Sequence, residues 1–172
     1  DLILIGFMGA GKTSVGEHFA ARYRMPMIDT DKEIEAAAGM AISDIFATRG
    51  EEAFRRLETG VLEKLLKQGG RSVISVGGGL PLRAENRALL KQLGTVVYLD
   101  VLPETVMERI GADVSDRPML HGSDVMGRII SLLESRKPYY LEASHIIVDV
   151  NGRDVDCLLY TSPSPRDRTR SR

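Results

Sequence analysis

Leu2-Ile3-Leu4-Ile5-Gly6-Phe7-Met8-Gly9-Ala10-Gly11-Lys12-Thr13 decides the fold. A short continuous apolar run closed by a glycine reads as a strand buried on both faces of a parallel sheet. From Gly6 the spacing G-x-x-x-x-G-K-[ST] is that of a phosphate-binding loop, and Lys12 to Tyr23 supplies the helix that must follow, with Val15, Phe19 and Ala20 on one face. Glycines let the backbone turn its N–H groups inward around phosphates, and the helix start adds a positive dipole end. Lys12 can then reach the β- and γ-phosphates of ATP, and the Thr13 hydroxyl can ligate Mg²⁺. A Gly-rich turn of no function is the alternative, but the strand before and helix after it are the context that confirms such a match. Gly9, Ala10, Gly11, Lys12, Thr13 and Ser14 are the expected nucleotide-binding residues, with Thr13 also at the metal.

Outward from the loop, short apolar strands alternate with helices. Met25 to Ile28 reads as a strand ending at Asp29, followed by a helix over Lys32 to Ala38 stopped by Gly39. A helical stretch beginning at Ser43 or Asp44 is separated by Gly50 from an amphipathic one, Glu51 to Gln68, with Phe54, Leu57, Val61, Leu62 and Leu65 at helical spacing. Ser72 to Val76 is a strand ended by three glycines, Glu85 to Leu93 a helix, Thr95 to Leu99 a strand and Glu104 to Ile110 a helix start. Gly111 to Ser123 is a polar loop and a candidate lid; Val125 to Arg136 is predicted helical with a stop at Pro138; His145 to Val150 is the last strand. A helix begins at Asp154 and the tail cuts it short. The alternation argues for a three-layer α/β fold around a central parallel sheet.

At 172 residues one domain is expected, over 1–160, and with 43% hydrophobic and 27% charged residues it should fold as an ordinary globular protein. The net charge of -1 gives no global field for nucleic acid or an anionic membrane, so any phosphate binding must be local. Cys157 is the single cysteine, which suits a reducing compartment, and there is no bilayer-length apolar run and no leader, so a cytoplasmic location is expected. A few residues are expected to precede Asp1. Residues 161–172, TSPSPRDRTRSR, are expected to be disordered: a basic tail for nucleic acid or a partner is one reading, a cloning or gene-assembly scar the favoured one.

Asp29 and Asp31 follow a strand on the same sheet edge as the loop, where open α/β folds bind ligands. Either could simply cap the next helix; beside a phosphate loop, one can hold Mg²⁺ while the other accepts a hydrogen bond or proton from a substrate hydroxyl. Arg55 and Glu58 lie one helical turn apart and can pair as a solvated ion pair, or Arg55 can clamp a carboxylate in a cleft, with Arg56 pointing elsewhere. Gly77-Gly78-Gly79 is either a plain loop or a place where backbone closely approaches a ligand. Arg117 sits in the candidate lid, and Arg136 ends a helix.

Taken together, FMGAGKT, IDTD, FRRLE over Phe54 to Glu58, VGGG, DRPML over Asp116 to Leu120 and RKPYY over Arg136 to Tyr140 resemble the shikimate kinase family, in that order and to about Val155. The resemblance implies a nucleoside-monophosphate-kinase-like fold in which ATP phosphorylates the 3-hydroxyl of shikimate, a step toward chorismate and the aromatic amino acids. It implies a small lid at about 111–123 and a shikimate-binding helical region at about 31–60. By the same resemblance Asp29 stands near Mg²⁺, Asp31 binds the shikimate hydroxyls, Arg55 and Arg136 grip its carboxylate beside Gly77, Gly78 and Gly79, and Arg117 closes over the transferring phosphate. Lys12, Asp31 and Arg117 are the implied catalytic residues, and Arg109 and Arg153 the implied nucleotide contacts on the adenine side. Shikimate, ATP and Mg²⁺ are the implied ligands of a monomer.

A gluconate or nucleoside-monophosphate kinase of the same fold is the rival enzyme, and a nucleotide-binding switch without catalysis the rival of another class. No base-recognition surface for a nucleotide acceptor is visible, and a mere sensor needs neither the arginine pair nor a lid arginine. The departure from the family lies at the end, where the last helix runs into Ser162-Pro163. That puts its packing on the sheet, and the adenine edge near Asn151 to Arg153, in doubt.

Overall fold

The computed structural model describes residues 1–110 and 124–151. Among these, five parallel strands form one sheet in the order β2-β3-β1-β4-β5: β1 Leu2–Gly6, β2 Met27–Asp29, β3 Val73–Ser75, β4 Thr95–Asp100 and β5 Ile146–Asp149. The helices among the described residues are α1 Lys12–Tyr23, α2 Thr30–Ala38, α3 Ile42–Gln68, α4 Ala84–Leu93, α5 Pro103–Ile110 and α6 Val125–Ala143. The expected three-layer α/β fold is thus present. β1 lies at the centre with Ile3, Leu4 and Ile5 fully buried, as its unbroken apolar run requires.

The register puts the functional segments side by side. Leu4 and Asp29 both pair with Ser75, so the loops after β1, β2 and β3 leave the sheet from one carboxyl-end edge. The phosphate loop, Asp29 to Asp31, and Gly77 to Gly79 therefore converge without any helix having to bring them together.

Two apolar clusters pack the described residues. The main one spans the sheet and the helices on it; a smaller one is built from Ile34, Ile45 and Phe54 between α2 and α3, with Leu57 and Phe46 against it. Val61 touches both. α3 is bent where predicted: Gly50 adopts φ 85°, ψ 169°, outside helical space.

Two expectations need correction. Pro138 does not stop α6, which continues through it to Ala143, and so Arg136 lies inside a helix rather than at its end. A proline within a helix costs about 3 kcal/mol through its missing N–H and its ring. Here Pro138 is exposed, where water can serve the orphaned carbonyl, while Tyr140 and Ala143 beyond it are completely buried. Burying a tyrosine and continuing the helix ladder offsets a loss of that size. In addition, a short 3₁₀ turn, Leu80–Leu82, follows the glycines, anchored by Asn86 Nδ2 donating to the Leu80 carbonyl at 2.9 Å. The predicted lid at 111–123, the helix from 154 and the tail at 161–172 lie outside the described residues.

Candidate active site

The phosphate loop is shaped by backbone. Gly9 and Gly11 hold φ 78° and 90°, which side-chain-bearing residues rarely adopt, and Gly11 is the N-cap of α1 without any side-chain cap. The first turn of α1 has no acidic residue, so its open N–H groups and dipole end are left for an anion. Lys12 Nζ donates to the carbonyls of Gly6 at 2.7 Å and Phe7 at 3.1 Å, which holds the ammonium across the mouth of the loop.

Asp29 caps α2: its Oδ1 accepts from the backbone N–H of Asp31 at 2.9 Å and of Lys32 at 3.3 Å. The capping alternative is thus realised, yet it occupies one carboxylate oxygen and Asp29 still lines the cleft beside Thr13. Asp31 is turned toward the glycine loop. Burial, and then the nearby Asp29 charge, raise its pKa above the ordinary carboxylate value, against the pull of Lys12. Between the two aspartates, buried Thr30 accepts a hydrogen bond at its Oγ1 from Gly77 N–H at 3.1 Å, which ties the second strand's exit to the third's.

Arg55 is buried rather than solvated, at 8% exposure, which removes the surface ion-pair alternative. Its Nη1 donates to Glu58 Oε1 at 2.7 Å, its Nη2 to the more exposed Glu51 at 3.3 Å, and its guanidinium lies 5.3 Å from the Phe54 ring centroid. Arg136, at 5% exposure, lies over the ring of Phe7, 5.6 Å from the centroid. Both arginines abut the glycine loop. A Cβ on Gly78 would come 3.2 Å from Arg136 Nη1, and one on Gly79 would sit 2.7 Å from Arg55 Cζ. A Cβ on Gly77 would meet Asp31 Oδ1 at 2.7 Å. Glycine is required here by the close approach of these charged groups.

Two residues of the site escaped the reading of the sequence. Tyr140, one helical turn after Arg136, donates from its hydroxyl to the Gly78 carbonyl at 2.5 Å; burial pushes its pKa up to about 12, which keeps it a donor. Its helical spacing from Arg136 was the available signal, hidden by the expected stop at Pro138. Glu58 was seen only as a partner for Arg55. It is fully buried, its Oε2 has no donor among the described residues, and burial lifts its pKa to about 7 against the attraction of Arg55.

One cleft of about 390 Å³ has Gly9, Lys12 and Thr13 at one end and Asp31, Arg55, Glu58, Gly77 to Gly79 and Arg136 at the other, while Thr30 and Tyr140 hold the glycine loop without lining it. That is the size of a small-ligand site. Arg109, on α5, stands outside it beside the phosphate loop, donating to the carbonyls of Gly9 at 3.1 Å, Ala10 at 3.0 Å and Val150 at 3.0 Å. Ala10 is buried inside the loop and Ser14 lines the cleft. Arg117 and Arg153 lie outside the described residues.

The family model described as Shikimate kinase matches residues 8–160. A shikimate kinase of Symbiobacterium thermophilum is 42% identical over 90% of this chain and 89% of its own length. Among solved structures, a shikimate kinase from Acinetobacter baumannii in complex with shikimate superposes with a TM-score of 0.85 at 38% identity, covering 92% of this chain and 88% of that one. A gluconokinase from Sinorhizobium meliloti 1021 reaches a TM-score of 0.52 at 19% identity, over 93% of this chain and 87% of its own; that likeness concerns the fold alone.

Proposed function

The chain belongs to the shikimate kinase family, and we propose that its cleft carries out the reaction of that family with the residues named here. The protein is an ATP-dependent kinase; the reaction passes the γ-phosphoryl of ATP to the 3-hydroxyl of shikimate, giving shikimate 3-phosphate and ADP. The observation that carries the assignment of roles is the pair of buried guanidiniums, Arg55 and Arg136, converging on the glycine loop in the same cleft as the phosphate loop. Two fixed cations in a small cavity suit an acceptor bearing a carboxylate, since guanidinium binds carboxylate through parallel hydrogen bonds.

Lys12 turns from the Gly6 and Phe7 carbonyls to the β- and γ-phosphates, while the N–H groups of Gly9 to Ser14 cradle them. Asp31 receives the acceptor hydroxyl, and its raised pKa makes it a better proton acceptor than an ordinary carboxylate. As the acceptor oxygen bonds to the γ-phosphorus, the bond from that phosphorus to the β–γ bridging oxygen breaks, ADP leaves with the electron pair, and the hydroxyl proton passes to Asp31. Thr13 and the second oxygen of Asp29 fit Mg²⁺, a hard cation that takes one or two protein oxygens, phosphates and water. When bound, that ion offsets phosphate charge. Arg117 and Arg153 are assigned to the transferring phosphate and to the nucleotide by their place in the family motifs, and Arg109 to the nucleotide's far side. A cytoplasmic monomer acting on small molecules alone completes the reading; the near-zero formal charge and single cysteine support it.

The test is ADP release from ATP and Mg²⁺ with shikimate, gluconate or a nucleoside monophosphate offered separately. Release with shikimate alone is expected. Release with gluconate or a nucleotide instead would overturn the acceptor assignment.

A further inference from the structure

α2 and α3 are walls with two sides. One side faces the active-site cleft with Asp31, Arg55 and Glu58. The other closes a separate hollow of about 440 Å³ against β2, the edge strand of the sheet. Its apolar lining comes from Ile28, Ile34, Leu57, Val61 and Leu65. Ile28 and Leu65 belong with the main core, Ile34 and Leu57 with the smaller cluster, and Val61 with both. The hollow therefore lies on the seam along which the α2–α3 unit joins the rest of the molecule.

A second observation concerns Gly60, inside α3. Glycine within a helix costs stability relative to alanine, and something usually requires it. Nothing among the described residues does here: its conformation is helical, and a Cβ built on it meets none of their atoms within 4 Å. The missing side chain instead leaves the hollow open between Arg56, one turn before, and Lys64, one turn after, on the same face of α3. Both cations are exposed and neither is held in an ion pair among the described residues, although Glu52 is within Coulombic reach of Arg56. Among the described residues Glu33 is the one acidic lining residue and comes from α2, so an anion would enter with its charge toward α3.

We propose that this hollow is a second ligand site, taking a small organic anion with a flat apolar body, and that filling it alters how the cleft holds its acceptor. The apolar part would rest on the half-buried Ile28, Leu57 and Val61, with the carboxylate between Arg56 and Lys64 across Gly60. A volume of this size accommodates a bicyclic carboxylate. Wedging the seam moves Asp31 on α2 and Arg55 on α3 together, because each helix serves both sites. The effect on the acceptor rests on the function proposed above; the binding does not.

The probe is 2-naphthoate, titrated by calorimetry into the full chain with saturating shikimate present, so that the arginines of the cleft do not compete for it. The neutral 2-naphthalenemethanol is the control. Saturable binding with a Kd below about 1 mM is expected, weakened about tenfold or more in the Arg56→Gln/Lys64→Gln double variant and by the neutral control, and abolished in Gly60→Leu, which fills the space. No binding at several times that concentration would overturn the site, as would binding unaffected by all three substitutions or displaced by shikimate. Kinetics read the coupling: 2-naphthoate should change the KM for shikimate severalfold in the native chain and not in Gly60→Leu. Binding with an unchanged KM refutes the coupling, and a chain that binds the probe but never phosphorylates shikimate refutes only the function proposed above.

Discussion

Replacing Glu58 by glutamine keeps the side chain's shape and removes its charge, so it isolates the energetic consequence of burying a carboxylate in the proposed acceptor site. In the native protein Glu58 is wholly inaccessible, bonded at Oε1 to Arg55 at 2.7 Å and, among the described residues, without a donor at Oε2. Burial is the largest influence on it; Arg55 opposes the rise and Asp31 adds to it, and the pKa moves from 4.5 to about 7. In the unfolded chain the group titrates at its ordinary value. Below about pH 4.5 both states are protonated and no penalty exists; between 4.5 and about 7 the folded state holds the extra proton, so stability falls as pH rises; above 7 the penalty is complete. At about 1.4 kcal/mol per pH unit, the gap from 4.5 to about 7 amounts to about 3 kcal/mol.

Urea unfolding of the native chain and of Glu58→Gln, across pH 4.5 to 8, measures this directly. The unfolding free energy of the native chain minus that of the variant should fall by about 3 kcal/mol over the lower part of the range and level off above about pH 7. Asp31, whose pKa is also raised, titrates in both proteins and largely cancels in the difference. Loss of the Arg55 pairing shifts the whole curve without changing its slope, because the guanidinium stays charged throughout. A difference independent of pH, or one that rises with pH, refutes the reasoning.

Four further outcomes follow from the same geometry. Tyr140→Phe removes the donor to the Gly78 carbonyl and should cost about 1–2 kcal/mol, a melting temperature lower by roughly 2–8 °C, with a raised KM for shikimate; unaltered melting and kinetics would show that the bond positions nothing. Gly79→Ala sets a methyl against the Arg55 guanidinium, so the KM for shikimate should rise about 10- to 100-fold with a smaller change in kcat, whereas normal kinetics would remove Arg55 from the acceptor site. Gly60→Ala meets nothing and should raise stability by about 0.5–1 kcal/mol; a loss in calorimetric melting would mean that the position is already tightly packed. Arg117→Ala should depress kcat by orders of magnitude and leave shikimate affinity mostly intact, and a normal kcat would take it out of the mechanism.

The loop proposed to bind phosphate was legible in its shape because it is one contiguous stretch whose conformation resides in backbone. Gly9 and Gly11 act through backbone conformation and Lys12 reaches back with its ammonium to carbonyls five and six residues earlier, so spacing alone reveals them. Parallel pairing then carries the inference farther: once β1, β2 and β3 are parallel strands, the segments after Asp29 and Ser75 must emerge beside the loop. The proposed acceptor half is built from side chains on α2, α3 and α6 around the backbone of the glycine loop, and what they do depends on rotation and burial. Arg55 and Glu58 show a helical turn's spacing whether they stand in water or in a sealed cleft, and only packing decides between those states.

Pro138 shows how a local rule misleads when the tertiary gain is larger. Stopping α6 at Pro138 would strand Tyr140 away from Gly78 and leave Arg136 on a frayed last turn, where a guanidinium has many rotamers to lose on gripping an anion. Continuing the helix through the proline instead seats Tyr140 in the core, and with it fixes Arg136 over Phe7 before any ligand arrives. The cost of the proline and the preorganisation of the arginine are thus two ends of one structural choice. On that account Pro138→Ala should stabilise α6, through the regained N–H and the loss of ring strain, while leaving the KM for shikimate nearly unchanged, because the helix that presents Arg136 is already complete.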